Sequence, residues 1–223
     1  MPIKAVFFDL GETLIDETRM WREWAAYLDV PADEFMQALE ATIVRGEHHR
    51  RVFDQYRPNL DLAAARRERM ANGTNYAYRP GDLYPDAAPC LKALQSSGYF
   101  IAVAGNQPRE ALDDMLTLGL DADLMTTSAH LGHEKPAPEF FAALLSRTGF
   151  RPNEVAYVGD RIDNDVLPAR AAGMTAVFIP RGIWGRIHAA RGDAADIRIN
   201  ALSELADALA RRREMPPEQR AAD

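Results

Sequence analysis

The chain has 223 residues, 47% hydrophobic and 26% charged, with a net charge of −7 at pH 7 and one cysteine, Cys90. That length suffices for one large domain, or for a core with a smaller domain inserted. An acidic chain repels nucleic-acid phosphates, a lone cysteine excludes intrachain disulfides and cysteine-rich metal sites, and no run approaches the ~20 apolar residues of a membrane span. The apolar stretch that ends at Asp9 is too short for a signal peptide, and the cysteine usage fits a reducing cytoplasm.

In chain order, Ile3 to Phe8 predicts a short buried parallel strand that ends in Asp9-Leu10-Gly11-Glu12-Thr13. Residues 15 to 82 contain no convincing strand. Trp21, Trp24, Ala25 and Leu28 share one helix face, Met36, Leu39 and Ile43 another, and Leu60 to Met70 predicts a further helix before Asn72-Gly73. A second strand is expected at Tyr99 to Ala104, running into Gly105-Asn106. Pro108 fits a first helical turn, with Leu112, Met115 and Leu116 following at helix spacing. Further strands are expected at Asp123 to Thr127, Val155 to Val158, Thr175 to Ile179 and Ile197 to Asn200. Between them Phe141, Leu144, Leu145 and Thr148 form a helical stripe that Gly149 stops. The tail after Ala210 is Arg-rich, then Pro-rich, and reads as disordered. Strands alternating with helices imply a parallel sheet wrapped on both faces, an α/β Rossmann-like fold whose ligands bind at the carboxyl ends of strands. Asp9, Gly105-Asn106 and Asp160 all fall at such ends.

Four separated segments carry polar residues that chemistry can use. They are Val6-Phe7-Phe8-Asp9-Leu10-Gly11-Glu12-Thr13-Leu14, Val103-Ala104-Gly105-Asn106, Gly132-His133-Glu134-Lys135-Pro136 and Val158-Gly159-Asp160-Arg161-Ile162-Asp163-Asn164-Asp165. A carboxylate just past a buried strand is rigidly held and can act as a nucleophile, and a second acid on another strand offers a hard oxygen to a cation. Three of the segments have a plainer explanation when taken alone: Asp9 as a turn former, Gly159-Asp160 as a strand-to-loop turn, Lys135 as a solvated lysine.

In order and spacing the four segments resemble the signature motifs of the haloacid dehalogenase (HAD) superfamily, over residues 3 to about 209. Ala172-Gly173-Met174 and Ile179-Pro180-Arg181-Gly182 resemble that family too. The resemblance implies a core domain over 1–14 and 83–210, a type 1 helical cap over 15–82 that closes over the site and selects substrate, and a tail from 211 to 223. It implies Asp9 as the nucleophile of an aspartyl-phosphate and Lys135 as the residue that neutralises charge on it. Magnesium would be held by the side chains of Asp9 and Asp160 and the backbone carbonyl of Gly11, with Asp165 supporting the metal shell or orienting Lys135. Thr13 would brace the loop through its hydroxyl, and Gly105 and Asn106 would face the phosphoryl group. A small anionic, phosphorylated substrate is implied for a monomer or homodimer with no nucleic-acid or membrane partner.

Two positions depart from the family pattern. Gly11 stands where phosphatases carry a second aspartate that protonates the leaving group, a loss typically worth ~10²–10⁴ in rate. Gly105 stands where a Ser or Thr hydroxyl is expected, and losing one donor costs ~10²–10³. Three functions therefore compete: a phosphatase restricted to good leaving groups, other hydrolysis such as dehalogenation on the same scaffold, or a binding protein without turnover. Asp160 beside Asp9 disfavours an anionic haloacid. A Schiff-base route is nearly closed, because the chain's lysines are Lys4, Lys92 and Lys135 and none lies in the insert. The basic stretch from Arg45 to Arg57 is expected to be solvated, and adjacent His48 and His49 are not expected to share a metal.

Overall fold

The computed structural model describes residues 2–74 and 76–214. Six strands form one parallel sheet in the order β3-β2-β1-β4-β5-β6. They are β1 (Ala5–Phe8), β2 (Phe100–Gly105), β3 (Leu124–Thr127), β4 (Val155–Gly159), β5 (Thr175–Phe178) and β6 (Ile197–Arg198). All six expected strands are present, with no end displaced by more than two residues. β1 and β4 are buried along their whole lengths, which is why both read as unbroken apolar runs. Side chains alternate across the strands. On one face Phe7 and Tyr157 join Phe140, Phe141, Leu144 and Phe178 in a continuous core. Each buried phenylalanine there stabilises the fold by roughly 1.5–3 kcal/mol.

The chain divides into two compact units, Met1–Asp16 with Tyr78–Asp223, and Glu17–Ala77. The first holds the sheet and helices α5 (Ala87–Ser96) to α11 (Leu205–Glu214); the second holds α1 (Thr18–Tyr27), α2 (Ala32–Val44), α3 (Val52–Tyr56) and α4 (Leu62–Ala71). The helical insert thus lies between β1 and β2. Residues on either side of it stay with the sheet because they pair with each other. Ile15 and Leu83 form an antiparallel bridge, Asp16 N donates to Asp82 O at 2.8 Å, and Tyr84 N donates to Leu14 O at 2.9 Å.

Within the insert, Trp21 stacks on Phe35 and Trp24 meets Phe53 edge-on, with centroids 6.4 and 5.1 Å apart. Phe35 takes the buried position of α2 with Leu39, Thr42 and Ile43, rather than Met36. Asp61 caps α4 by accepting from Ala63 N and Ala64 N, so the helix starts at Leu62 and not at Leu60. The basic stretch is spent locally: Arg45 pairs with Glu47 at 2.7 Å and Arg51 with Asp54 at 3.0 Å.

In the sheet unit the remaining helices are α6 (Ala111–Leu116), α7 (Ser128–Leu131), α8 (Pro138–Thr148), α9 (Leu167–Ala171) and α10 (Gly182–His188). Pro108 is not in the first turn of α6. It precedes a reverse turn, closed by Ala111 N donating to Pro108 O, and the helix begins only at Ala111. Gly149 ends α8 with φ +76°, as its place in the stripe implied. Cys90 is a packed thiol in α5, and burial pushes it up to about 12. α11 runs on through Arg211–Arg213, a run whose charge suits a helix C-terminal end although it opens the expected tail; residues 215–223 of that tail lie outside the described residues. Among the described residues, no helix is long and apolar enough to cross a membrane.

Candidate active site

β1, β2 and β4 are neighbours at the centre of the sheet and run parallel, so their carboxyl ends deliver three loops to one place. Asp9 follows β1, its backbone N donating to Val158 O at 2.9 Å, and Asp160 follows β4. A wide π-type turn over Ile162–Val166 then returns Asp165 toward the end of β4, where Arg161 N donates to its Oδ2 at 3.1 Å. Gly159 makes this return possible, because a Cβ there would overlap the Asp165 side chain.

Lys135 sits between two of these acids. Its Nζ lies 2.6 Å from Asp9 Oδ1 and 2.5 Å from Asp165 Oδ1, and the side chain is buried. Burial alone would pull the ammonium down, but the carboxylates of Asp165 and Asp9 outweigh it and hold Lys135 well above its ordinary value. The backbone at Lys135 is pinned by Asn106, whose Nδ2 donates to Lys135 O and whose Oδ1 accepts from Lys135 N, both at 2.8 Å. Asn106 was expected to face a phosphoryl group. Its carboxamide is engaged with the Lys135 loop and holds that backbone in place.

Asp160 is fully enclosed and its Oδ2 has no hydrogen-bond partner. Burial raises its carboxyl well above the normal range, and the nearby charges of Asp165, Asp9 and Glu12 raise it further. Asp165 is raised as well, by burial first, with Lys135 opposing and Asp9 reinforcing. One ligand oxygen from each of Asp9, Asp160 and Asp165 lies within 4.8 Å of the others. Three hard oxygens with one orphaned buried oxygen among them fit a hard divalent cation, which would reverse the unfavourable shifts.

The loop after Asp9 is tied by backbone bonds. Leu14 N and Ile15 N donate to Leu10 O, and Glu12 N donates to Ile15 O. Thr13, expected to brace this loop through its hydroxyl, is fully buried, and its Oγ1 meets no partner. The outside clamp comes from Arg181, which donates to Thr13 O at 3.2 Å, pairs twice with Asp86 at 2.9 and 2.6 Å, and lies over the Tyr84 ring. Glu12, adjacent to the altered position Gly11, has φ +54°. Tyr84 Oη donates to its Oε2 at 2.7 Å, and the carboxylate lies against Gly182, where a Cβ would overlap it. Tyr84 is raised far above the phenol range, by burial and then by Glu12.

Sequence reasoning did not single out Tyr84, Asp86 or Gln107. The first two lie just past the insert, some seventy residues from the loop they hold, and no local pattern marks them. Gln107 had one weak signal, a long polar side chain two residues from an unexpected glycine. A Cβ on Gly105 would overlap Asp9 Oδ1 and Gln107 Oε1 and press on Gln107 Nε2.

The sequence profile of the haloacid dehalogenase-like hydrolases matches residues 3–173. A glyceraldehyde 3-phosphate phosphatase of Methanopyrus kandleri is 30% identical, over 93% of this chain and 97% of its own. A phosphoserine phosphatase of Thermus thermophilus is 31% identical, over 92% of this chain and 81% of its own. The crystal structure of a HAD phosphatase from Thermococcus onnurineus is similar with a TM-score of 0.58 at 25% identity, covering 92% of this chain and 97% of that one.

Proposed function

Because the chain belongs to the haloacid dehalogenase-like hydrolases, we propose that it is a phosphatase of a small phosphorylated metabolite, working through an aspartyl-phosphate on Asp9. The observation that carries this reading is the buried Lys135 ammonium held between Asp9 and Asp165, beside the unpartnered oxygen of Asp160. A structural ion pair would need one acid for one lysine. Here Lys135 touches two acids and a third, Asp160, lies beside them without a partner for its Oδ2, and a charge excess of that kind is built for a ligand. The relatives that bear the names of phosphatases for glyceraldehyde 3-phosphate and phosphoserine support the substrate class.

In the first step Asp9 attacks phosphorus; the new bond joins a carboxylate oxygen to phosphorus, and the phosphorus–oxygen bond to the leaving group breaks with its electron pair. In the second, a water oxygen bonds to phosphorus as the bond from phosphorus to the Asp9 oxygen breaks with its electron pair; the water gives up a proton to solvent, inorganic phosphate leaves and the Asp9 carboxylate is restored. Lys135 stays protonated throughout and offsets the negative charge that gathers around the nucleophile. Magnesium would be held by Asp9, Asp160 and the Gly11 carbonyl, with Asp165 behind them; when bound it draws electron density from the phosphoryl oxygens.

Position 11 offers no carboxyl to protonate the leaving oxygen, and Glu12 is held by Tyr84 and Gly182. Departure without an acid favours leaving groups that are stable as anions. Magnesium-dependent phosphate release from acyl and aryl phosphates should therefore exceed release from alkyl phosphates by ~10²-fold or more. The assay is a panel of phosphorylated metabolites with Asp9→Asn as the blank. Equal rates on sugar phosphates would show that another group supplies the proton, and no release above the blank would leave a ligand-binding protein.

A further inference from the structure

Gln107 lies two residues past β2, with a well-fixed backbone. Its N–H donates to Gly105 O at 3.0 Å, and its carbonyl accepts from Ser128 Oγ at 3.2 Å and from Ala129 N at 3.4 Å. The residue is only 7% exposed, and its Oε1 is buried with no hydrogen-bond partner. A buried amide with unmet bonding capacity destabilises a fold, so folding alone does not explain its placement. Its direction is set by Gly105. The point a Cβ would occupy there lies 2.7 Å from Gln107 Oε1 and 3.0 Å from Nε2, and it overlaps Asp9 Oδ1. The carboxamide therefore occupies the space beside the Asp9 carboxylate that a side chain at position 105 would otherwise fill. A half-turn about its last bond presents either the acceptor or the two N–H donors to that space.

We propose that Gln107 is a substrate-binding residue whose carboxamide N–H donates to a non-bridging oxygen of the phosphoryl group at Asp9. It supplies the donor that the hydroxyl-free Gly105 lacks, and position 105 is glycine because any side chain there would displace the amide. The inference rests on the phosphatase reading. It also accounts for two features that otherwise stand apart, the orphaned amide and the missing Cβ.

The test uses the full-length protein with Gln107→Ala, Gln107→Glu, Gly105→Ser and the double change Gly105→Ser with Gln107→Ala. It reads steady-state kinetics on the best substrate of the panel, calorimetric binding of inorganic phosphate with magnesium present, and the magnesium-induced rise in melting temperature. Gln107→Ala should lower kcat/KM by ~10²–10³-fold and weaken phosphate binding by ~10-fold or more, with the magnesium response intact. Gln107→Glu keeps the shape and loses the donor, and should fall at least as far. Gly105→Ser alone should fall, and the double variant should recover at least ~10-fold over Gln107→Ala as the serine hydroxyl takes the vacated space.

Activity of Gln107→Ala within threefold of wild type overturns the inference, as does full activity in Gln107→Glu. A wild type that turns over nothing defeats the phosphatase reading by itself. In that case phosphate binding still decides: tenfold weaker binding in Gln107→Ala upholds the donor role, and equal or undetectable binding in both proteins overturns it.

Discussion

Asp160 shows how a single residue can work against the fold it sits in. Its carboxyl is raised by burial and by three acidic neighbours. A group whose folded pKa lies above its unfolded one contributes full stability only below the unfolded value, and that contribution is lost as pH rises through the folded pKa. At neutral pH the metal-free protein therefore carries a penalty at this site. Asp160→Asn should remove it and raise the melting temperature of the chelator-treated protein by several degrees, given ~1–2 kcal/mol at ~2–4 °C per kcal/mol for a chain of this size. The same variant should lose the rise that magnesium gives the wild type. Differential scanning calorimetry with EDTA and with magnesium reads both effects; a destabilised metal-free variant, or a preserved magnesium response, would remove Asp160 from the cation site.

Asp9 and Asp160 were legible because each follows a buried strand directly, whereas Asp165 reaches them only through the wide turn after β4, and its place came from the family resemblance. Asn106 was legible as a site residue but not in its task, since nothing local shows that both ends of its carboxamide are bonded to the backbone of Lys135. Gln107 was missed because its direction depends on the absence of a side chain two residues away.

At the scale of elements, glycine positions report crowding as well as turning. Gly182 opens α10 with φ +65°, and a Cβ there would collide with the Glu12 carboxylate. Gly98, in the turn before β2, has φ +84° with nothing within 4 Å. Alanine at either site incurs the left-handed backbone cost of ~1–2 kcal/mol, so the difference between the two variants isolates the contact with Glu12. Gly182→Ala should be less stable than Gly98→Ala in urea unfolding, by at least ~1 kcal/mol for overpacking. Equal losses would mean that Glu12 moves away freely, and its tether to Tyr84 would then be a weak one.

The central strands could be read from sequence because β1, β2 and β4 are short buried apolar runs that end at a glycine or aspartate. Helix starts were less legible. Asp61 moved the start of α4 by capping it, and a reverse turn after Pro108 delayed α6, and both depend on local bonds that apolar spacing does not encode.

For the molecule as a whole, acid stability should depend in part on Glu154. Its carboxylate accepts from Lys4, 2.8 Å away, and from Arg151 N at 3.0 Å, which ties the start of β1 to the turn before β4. Lys4 first, and then the Arg151 backbone, hold Glu154 down to about 2 from an ordinary 4.5. A depressed carboxylate contributes stability above its unfolded value and loses it as pH falls through the folded one. Glu154→Gln should therefore be less stable than wild type at pH 7, and the gap in urea midpoint should narrow as pH falls below about 4.5. A gap that stays constant down to pH 3 would assign Glu154 a purely geometric role.

The pairing of Ile15 with Leu83, backed by the Asp16–Asp82 and Leu14–Tyr84 bonds, has a consequence for how such a chain can change over time. The two ends of a sixty-residue excursion are fastened together before it begins. The entropy of closing a loop grows only with the logarithm of its length. Lengthening, shortening or replacing everything beyond that fastening therefore costs the sheet little, while Asp9 on one side and Tyr84 on the other keep their places. The pair acts as a socket. An insert of different length or sequence can be seated there while the loop after Asp9 and the turn at Tyr84 stay in place.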